Sequence, residues 1–309
     1  MTTGRLAPII YFAYNRPGHM LQTLEALSKN RLANESDLWI YIDGPKENTS
    51  DEDLAKIAEV KKIAQQKQWC KNVTVIAAEK NKGLFKSITE GITTIVNQYG
   101  KIIVVEDDTL VSPGFLEYMN DALTMYEDVP KVMHVAAFSL PQFSGLDIKE
   151  STYFFQHTTC WGWGTWKRAW SFFDADGKRL MKRIKEEKKN IYQLNMYGGF
   201  EFYWGLKAIA EGKFHDWNYN WHTSVFLQNG LCLHPANSLV SNIGHDGSGT
   251  NCAVSDDFNT GKPLAEKITI TKIPLVENKI VRDFHKTLGT RKNKIVLFVK
   301  HYLRYLRVG

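Results

Sequence analysis

Three consecutive carboxylates, Glu106, Asp107 and Asp108, follow the apolar run KIIVV. Carboxylates placed side by side repel one another, and ionised groups are costly to keep beside an apolar core. Hard divalent cations such as Mn²⁺ and Mg²⁺ prefer oxygen ligands, and a bound cation keeps coordination positions open for the oxygens of a diphosphate. The triplet therefore predicts a divalent-cation site. An acidic loop ahead of a helix N-terminus is the alternative.

Further polar residues lie where other apolar runs end. Arg16 follows PIIYFAY, Asp43 ends LWIYID, and Asn81, Lys82 and Gly83 follow VTVIAAE at the start of a helical pattern. An arginine fork suits phosphate oxygens, and glycine at a helix N-terminus lets backbone N–H groups approach an anion. The alternatives are a surface salt bridge for Arg16, an Asx turn for Asp43 and a purely structural turn for the last three.

The segment TTCWGWGTWKRAW carries four tryptophans within ten residues. Glycines separate Trp161, Trp163 and Trp166 along this stretch, so we expect that the three do not all enter the core. Flat aromatic faces are suited to stacking on sugars. Burial of these tryptophans in the core is the alternative.

An alternation of strands and helices must position these residues. PIIYFAY, LWIYID, VTVIAAE and KIIVVEDD are predicted strands, and the segments between them are helical, one beginning at Ser50 with Asp53 three positions on. Such βαβ units predict an α/β fold with a mainly parallel, twisted sheet flanked by helices. Because ligands of such sheets collect at the carboxyl ends of the strands, the polar residues should meet along one edge.

The second half of the chain has a less regular pattern. We predict a strand at KVMHVAAFS, a charged helix or connection over 176–195, a helix at EFYWGLKAIAEG, and a strand that leads into a flexible loop at NSLVSNIGHDGSGT. No internal repeat or low-complexity linker is evident. We therefore expect one domain over 1–285, with a ligand-binding half at 1–125 and an aromatic-rich half at 126–285.

The last stretch, 286–309, differs in character from the rest. Within RKNKIVLFVKHYLRYLRVG, apolar residues share one helical face and lysines and arginines supply charge. The pattern predicts a basic amphipathic helix on an anionic membrane surface. Docking of its apolar face on the body of the protein is the alternative.

Composition narrows the class of protein. The 309 residues are 43% hydrophobic and 23% charged, which is typical of a globular protein with a real core. The net charge of +6 is mild and no nucleic-acid-binding motif is present, so we expect no nucleic-acid partner. The four cysteines show no CxxC spacing, and the chain has neither a signal-peptide layout nor a run of ~20 apolar residues. These features predict a cytoplasmic location, with peripheral contact at the inner face of the cell membrane.

The acidic triplet and the segment after it, EDDTLVSPGFLEYM, resemble the DXD-type motif of GT-A fold glycosyltransferases. The similarity is strongest to the branch that contains N-acetylglucosaminyltransferase I and related bacterial sugar transferases. The order of the other segments agrees, from PIIYFAYNRPGHMLQTLEAL through LWIYIDG and NKGLFKS to CWGWGTW, and covers roughly residues 7–250. The resemblance implies a GT-A, Rossmann-like sheet that binds a nucleotide sugar.

The resemblance also implies roles for the residues at the strand ends. The last acid of the motif, Asp108, would bind Mn²⁺ or Mg²⁺. Asp107 would lie near the ribose and the waters of the metal, and Glu106 would be a further residue of the donor site. Arg16 would contact the diphosphate or the uracil edge. Asp43 would hydrogen-bond the base or the ribose.

Other segments have implied roles as well. The turn of Asn81, Lys82 and Gly83 would belong to the donor site. The segment Trp161, Gly162 and Trp163 would lie beside the donor sugar and the acceptor. His245, in the glycine-rich loop, would be an additional metal or diphosphate contact, with Asp246 as a possible substitute.

Inverting transfer requires a general base that removes the proton of the acceptor hydroxyl. Asp216, in KFHDWNYNWH, is the preferred candidate because of its position after the aromatic segment, and Glu201, in GGFEFYW, is the competing one.

The resulting hypothesis is a metal-dependent hexosyl- or N-acetylhexosaminyltransferase. It would move a sugar from a nucleoside-diphosphate donor, preferably a UDP-sugar, to a saccharide or lipid-linked saccharide in bacterial cell-surface polysaccharide or lipopolysaccharide synthesis. One alternative is a non-catalytic protein that binds carbohydrate or nucleotide sugar through a degenerate site. A sugar nucleotidyltransferase is the other, but such enzymes usually carry a glycine-rich basic loop after the first strand, and YFAYNRPGH has one glycine.

Overall fold

The computed structural model describes residues 5–140, 145–248 and 263–288. The first half alternates strands and helices in the order β1 (Ile9–Ala13), α1 (Pro17–Ser28), β2 (Asp37–Ile42), α2 (Asp51–Gln65), β3 (Asn72–Ala77), α3 (Leu84–Tyr99), β4 (Lys101–Glu106), β5 (Thr109–Val111) and α4 (Phe115–Met125). The side chain of Ser50 accepts a hydrogen bond from the N–H of Asp53 at 3.2 Å, which confirms the predicted start of α2.

The second half contains more regular structure than its sequence pattern predicts. Its elements are β6 (Val132–Ala136), β7 (Thr152–Phe155), β8 (Trp163–Trp166), α5 (Lys167–Trp170), α6 (Gly177–Glu186), α7 (Ile191–Leu194), α8 (Phe202–Ala210), α9 (Trp217–Leu227), β9 (Leu231–Pro235), β10 (Val240–Asn242) and α10 (Lys279–Leu288). Strands β7, β8 and β9 and helix α9 were not predicted.

Eight strands form one sheet, in the order β3-β2-β1-β4-β8-β6-β9-β7. Six of them run parallel to one another, and β8 and β7 run in the opposite direction. The α/β fold with a mainly parallel sheet flanked by helices is thus confirmed. The carboxyl ends of β1, β2, β3 and β4 lie along one edge, as expected for parallel neighbours.

Alternate residues of the strands enter apolar layers on the two faces of the sheet. Ile9 and Tyr11 of β1 pack with α1 and α4 on one face, whereas Ile10 and Phe12 pack with α3 and α9 on the other. A third apolar cluster joins Tyr153 and Phe155 of β7 to α6, α8 and α10. Burial on both faces explains why the central strands are continuous apolar runs.

The C-terminal prediction can be compared with the structure only at its start. Helix α10 ends at Leu288, so residues 291–309, which carry the basic amphipathic pattern, lie outside the described residues. Across the part of the chain that is described, no helix combines the length and the apolar character that crossing a bilayer requires.

Five histidines of the described residues are buried: His134, His157, His222, His234 and His285. Burial lowers the pKa of each, to about 4 for His222, His234 and His285. His222 stacks on Phe202, and its Nε2 lies 3.0 Å from the carbonyl oxygen of Leu194. As the native protein keeps these rings neutral while the unfolded chain takes up protons below about pH 6.5, they should lower stability as the pH falls.

The substitution His222→Gln isolates the contribution of one of these rings to the pH dependence of the free energy of unfolding. Gln can donate to Leu194 but cannot titrate, so the free energy of unfolding of the wild type should fall by about 1–2 kcal/mol more than that of His222→Gln between pH 7 and pH 4.5. Urea denaturation at a series of pH values measures both curves. The exposed His215 provides the control variant His215→Gln, which should follow the wild type. Parallel curves for His222→Gln and wild type would contradict this account.

Candidate active site

The acidic triplet lies at the carboxyl end of a central strand. Glu106 is the last residue of β4, opposite Phe12 of β1, and Asp107 and Asp108 form the turn into β5. Both aspartates are buried, with 4% and 7% of their surface exposed. The predicted position of the triplet, at the rim of the sheet, is therefore where the structure places it.

Arg16 binds this pair of aspartates directly. Arg16 precedes α1, its Nε lies 3.3 Å from Oδ2 of Asp107, and its Nη2 donates to Oδ1 of Asp107 and, at 3.0 Å, to Oδ2 of Asp108. Its side chain is 17% exposed. Arg16 thus forms a salt bridge, as in the alternative, but with two buried carboxylates rather than at the surface, and its contact with a diphosphate stays a prediction.

Burial and mutual repulsion shift the titration of these groups. Burial raises the pKa of Glu106 well above its ordinary value, and Asp108 and Asp107 raise it further. Burial also raises the pKa of Asp107, to about 6, although Arg16 opposes the shift. Burial by itself lowers the pKa of Arg16, but the two aspartates outweigh this effect and raise it. The site therefore has more acidic groups than one guanidinium can neutralise, and burial together with the neighbouring aspartates favours the protonated form of Glu106.

A separate two-stranded antiparallel sheet brings the glycine-rich loop against the aspartates. Strand β10 pairs with β5, and the N–H of Ile243 donates to the carbonyl oxygen of Asp108 at 2.9 Å. At the next residue, Gly244, a Cβ atom would lie 2.9 Å from Cβ of Asp108 and 3.0 Å from Nη1 of Arg16. A residue with a side chain does not fit here, so glycine allows this close approach of the loop to the acidic pair.

One histidine packs against this loop and another lies within it. Nε2 of His19, in the first turn of α1, is 3.2 Å from the carbonyl oxygen of Ile243 and 3.2 Å from Oδ2 of Asp246. The predicted metal contact His245 packs edge-on against Trp161, with 5.6 Å between ring centroids. His19, which no motif singled out, thus joins α1 to the loop that carries His245. In the sequence, His19 follows Arg16 by three positions and so lies on the same helical turn. This spacing is the only signal that could have pointed to His19 as a site residue.

Asp43 holds the neighbouring turn. Its two carboxylate oxygens accept hydrogen bonds from four donors, the N–H groups of Gly44, Lys82 and Gly83 at 2.9, 2.8 and 3.0 Å and Nδ2 of Asn81 at 3.1 Å. A carboxylate offers about four acceptor positions. The bond to Gly44 is not the Asx turn that was the alternative, because that turn bonds to the residue two positions on, here Pro45, which has no N–H. Asp43 instead fixes the turn of Asn81, Lys82 and Gly83 at the start of α3.

Asp216 approaches the triplet from the second half of the chain. It begins α9, accepts a hydrogen bond from the N–H of Asn218 at 2.8 Å, and has a pKa raised by burial. Burial is the largest cause of the raised pKa values of Glu106 and Cys160; the charge of Asp216 adds to both shifts, and Glu106 and Asp108 add to that of Cys160. Asp216, Glu106 and Asp108 therefore share the surroundings of Cys160.

The competing base, Glu201, has a different environment. Glu201 is exposed directly ahead of α8, whereas Asp216 is part-buried close to Glu106. This difference favours Asp216 for a proton transfer beside the acidic triplet.

The tryptophan segment is only partly as predicted. Trp163 is fully buried in β8, stacked between His134 and Trp217 with ring centroids 5.1 and 5.3 Å away, and Trp166 is 2% exposed. The expectation that Trp163 faces a sugar is therefore wrong, because strand pairing with Val104 carries its ring into the core. Trp161 is part-buried beside His245 and remains near the site, while Gly162 (φ +61°) packs against Phe115 and Val240.

The donor atoms at the rim fit a hard divalent cation. Asp107, Asp108 and Glu106 offer only oxygen, and the backbone of Gly244 forms a wall too close for a side chain. Within residues 5–140, 145–248 and 263–288, no three His, Cys, Asp or Glu side chains already converge in a metal-binding arrangement. A cation would thus have to draw the carboxylates together as it binds.

Comparison with known proteins finds similarity among solved structures only. No protein-family model matches the chain. No curated protein sequence matches it either. Similar structures include glycosyltransferases and a nucleotidyltransferase, but identities near 12% and TM-scores below 0.4 say nothing about activity or substrate.

Three of these structures illustrate the degree of structural similarity and the share of each chain that is covered. The mannosyltransferase of Pyrobaculum calidifontis, in complex with GDP-Man and Mn²⁺, has a TM-score of 0.37 and 12% identity, over 59% of this chain and 47% of that one. Mouse xyloside xylosyltransferase 1 has a TM-score of 0.36 and 11% identity, over 72% and 82%. A UDP-glucose pyrophosphorylase bound to UDP-glucose has a TM-score of 0.34 and 12% identity, over 54% and 79%. The chain thus spans about half the length of the mannosyltransferase.

The close approach at Gly244 gives a direct test of the loop's position. Gly244→Ala should lower the free energy of unfolding by about 1–3 kcal/mol, because the added methyl group overlaps Asp108 and Arg16. Gly18→Ala, in the adjacent first turn of α1, adds a methyl group with nothing within 4 Å and should be neutral or slightly stabilising. Chemical denaturation measures both. Equal stability of Gly244→Ala and wild type would mean that the loop lies elsewhere.

Proposed function

We propose that this protein is a metal-dependent glycosyltransferase that uses a nucleoside-diphosphate sugar. The observation that carries the proposal is the convergence of four groups at the carboxyl edge of the sheet: the acidic pair Asp107 and Asp108, the guanidinium of Arg16, and the part-buried carboxylate of Asp216. Cation ligands, an anion ligand and a separate base are what transfer from a diphosphate requires.

In this proposal the residues of the rim bind and orient the donor. Asp107 and Asp108 hold the cation, which when bound supplies positive charge that offsets the charge developing on the leaving diphosphate. The guanidinium of Arg16 binds diphosphate oxygens. Asp43 keeps the turn of Lys82 and Gly83 in place at the N-terminus of α3, where backbone N–H groups favour an anion.

Asp216 acts as the general base on the acceptor. Its carboxylate takes the proton of the acceptor hydroxyl while that oxygen forms a bond to the anomeric carbon. The bond from this carbon to the diphosphate oxygen breaks, and the diphosphate leaves with the electron pair. Attack from the side opposite the leaving group inverts the configuration. The raised pKa of Asp216 suits a base that must keep the proton it accepts.

The finer assignment follows the sequence resemblance. We propose a UDP-sugar donor carrying a hexosyl or N-acetylhexosaminyl group, and a saccharide or lipid-linked acceptor in bacterial cell-surface polysaccharide or lipopolysaccharide synthesis. Peripheral contact of 291–309 with the inner face of the cell membrane would bring the enzyme to such acceptors, because basic amphipathic sequences are attracted to anionic lipid. Loss of liposome binding on deletion of 291–309 would support this placement.

Asp108 tests the metal-dependent donor site. Asp108→Asn keeps the shape but removes a charged ligand, so Mn²⁺-dependent binding of a nucleotide sugar should weaken by at least about tenfold, or about 1.4 kcal/mol. Isothermal titration calorimetry with UDP-sugars and GDP-sugars, with and without Mn²⁺, measures it. The exposed Asp147 provides the control Asp147→Asn, which should bind as the wild type does. Undiminished binding by Asp108→Asn would remove the acidic pair from the proposed site.

Asp216 tests catalysis separately from binding. Asp216→Asn should bind the donor with unchanged affinity and lower the rate of transfer by about 10²–10⁴-fold, because an amide cannot accept the hydroxyl proton. Transfer to an acceptor panel is followed by release of the nucleoside diphosphate. An active Asp216→Asn enzyme together with an inactive Glu201→Gln enzyme would assign the base to Glu201. Donor binding by the wild type with no turnover on any acceptor would favour a non-catalytic binding protein.

A further inference from the structure

Arg16 is bonded to the carboxylate oxygens that a cation would need. Its contacts involve both oxygens of Asp107 and Oδ2 of Asp108, and the side chains of the two aspartates are only 6% and 10% exposed. The loop at Gly244 covers the same group of atoms. A divalent cation therefore cannot take its ligands from this pair while the guanidinium keeps all of its contacts.

Repulsion between like charges prevents the guanidinium of Arg16 and a divalent cation from binding Asp107 and Asp108 at the same time. A guanidinium and a divalent cation bound to the same buried carboxylates would lie within a few ångströms of each other, where screening by water is weak. Arg16 must move away when the cation binds, and a half-buried guanidinium is costly to leave without an anionic partner. The diphosphate of the donor is such a partner, since its oxygens match the guanidinium fork.

Two other cations of the first half of the chain, Lys82 and Arg31, have partners away from the pair. Nζ of Lys82 lies 2.9 Å from Oε2 of Glu90, and Arg31 binds Glu117 at 2.8 Å and the carbonyl oxygen of Glu266. Among these three cations, Arg16 alone bonds to the two aspartates, so a movement of its side chain changes the charge balance there.

We propose that Arg16 is the specificity residue that makes the site take a divalent cation together with a diphosphate and resist the cation alone. Arg16 competes with the free cation for Asp107 and Asp108, and transfers to the diphosphate when cation and nucleotide arrive together. This inference rests on the proposed function and adds a positive coupling between the two ligands, which by linkage must be equal in both directions.

The test is a thermodynamic cycle on the full chain. Calorimetry measures the Kd of Mn²⁺ with and without saturating UDP, with GDP as the second nucleotide, after correction for formation of the Mn²⁺–nucleotide complex in solution. For the wild type, UDP should tighten the binding of Mn²⁺ by about 10- to 100-fold. For Arg16→Gln, Mn²⁺ alone should bind about tenfold more tightly than to the wild type, and the effect of UDP should largely disappear.

Two variants serve as controls. Arg31→Gln removes the same type of charge from a surface pair and should behave as the wild type does. Arg16→Lys keeps a positive charge without the fork and should retain weak binding of Mn²⁺ alone with a smaller effect of UDP. Circular dichroism and thermal unfolding establish that each variant is folded.

Whether Arg16→Gln binds Mn²⁺ more tightly or more weakly than the wild type distinguishes competition by Arg16 from a purely structural role. A role of Arg16 in merely holding the aspartates in place predicts weaker binding of Mn²⁺ by Arg16→Gln, and that result, or an unchanged effect of UDP, would overturn the inference while leaving the proposed function intact. If the wild type binds neither Mn²⁺ nor Mn²⁺ with UDP or GDP, the proposed function fails and the inference fails with it.

Discussion

The ion pair between Arg16 and the two aspartates is the interaction on which the site depends. Three adjacent carboxylates at the end of a buried strand are tolerable only with a positive partner, and the guanidinium supplies it in the structure. This interaction also fixes the surroundings, because Gly244 packs on Arg16 and Asp108, and the N–H of Ile243 donates to the backbone carbonyl of Asp108. Charge compensation thus links the first strand, the fourth strand and the late loop into one unit.

The parallel sheet makes this compensation available. Strands β1 and β4 are neighbours, so the residue that follows β1 and the residues that end β4 meet at one edge. The first turn of α1 then contributes twice, through Arg16 to the aspartates and through His19 to the loop around Ile243 and Asp246. Asp43 and its four donors give the adjacent turn a fixed shape. The carboxyl edge of the sheet therefore holds its backbone in a fixed arrangement around the acidic triplet. In the inference above, a divalent cation replaces Arg16 as the positive partner of that triplet.

The antiparallel strand β8 relates the two halves of the chain. It pairs with β4 on one side and β6 on the other, so that the segment just before it, with Cys160 and Trp161, runs beside the acidic triplet. Helix α9 begins at Asp216 on the same side of the molecule and packs Trp217 on Trp163. Tryptophans that look like a ligand surface in the sequence thus serve mainly as the core that holds Asp216 close to Glu106.

The sequence by itself determined the α/β class, the four parallel strands and the position of the acidic triplet, because these depend on local apolar periodicity and on charges adjacent along the chain. Only the tertiary structure decided the partners: Arg16 lies 91 residues from Asp107 in the chain, and the pairing of β5 with β10 brings Gly244 against Arg16 and Asp108. Trp163, Cys160 and His19 could not be assigned from sequence, since burial and strand pairing set their roles. Local pattern reports which residues can do chemistry, whereas long-range packing determines which of them meet.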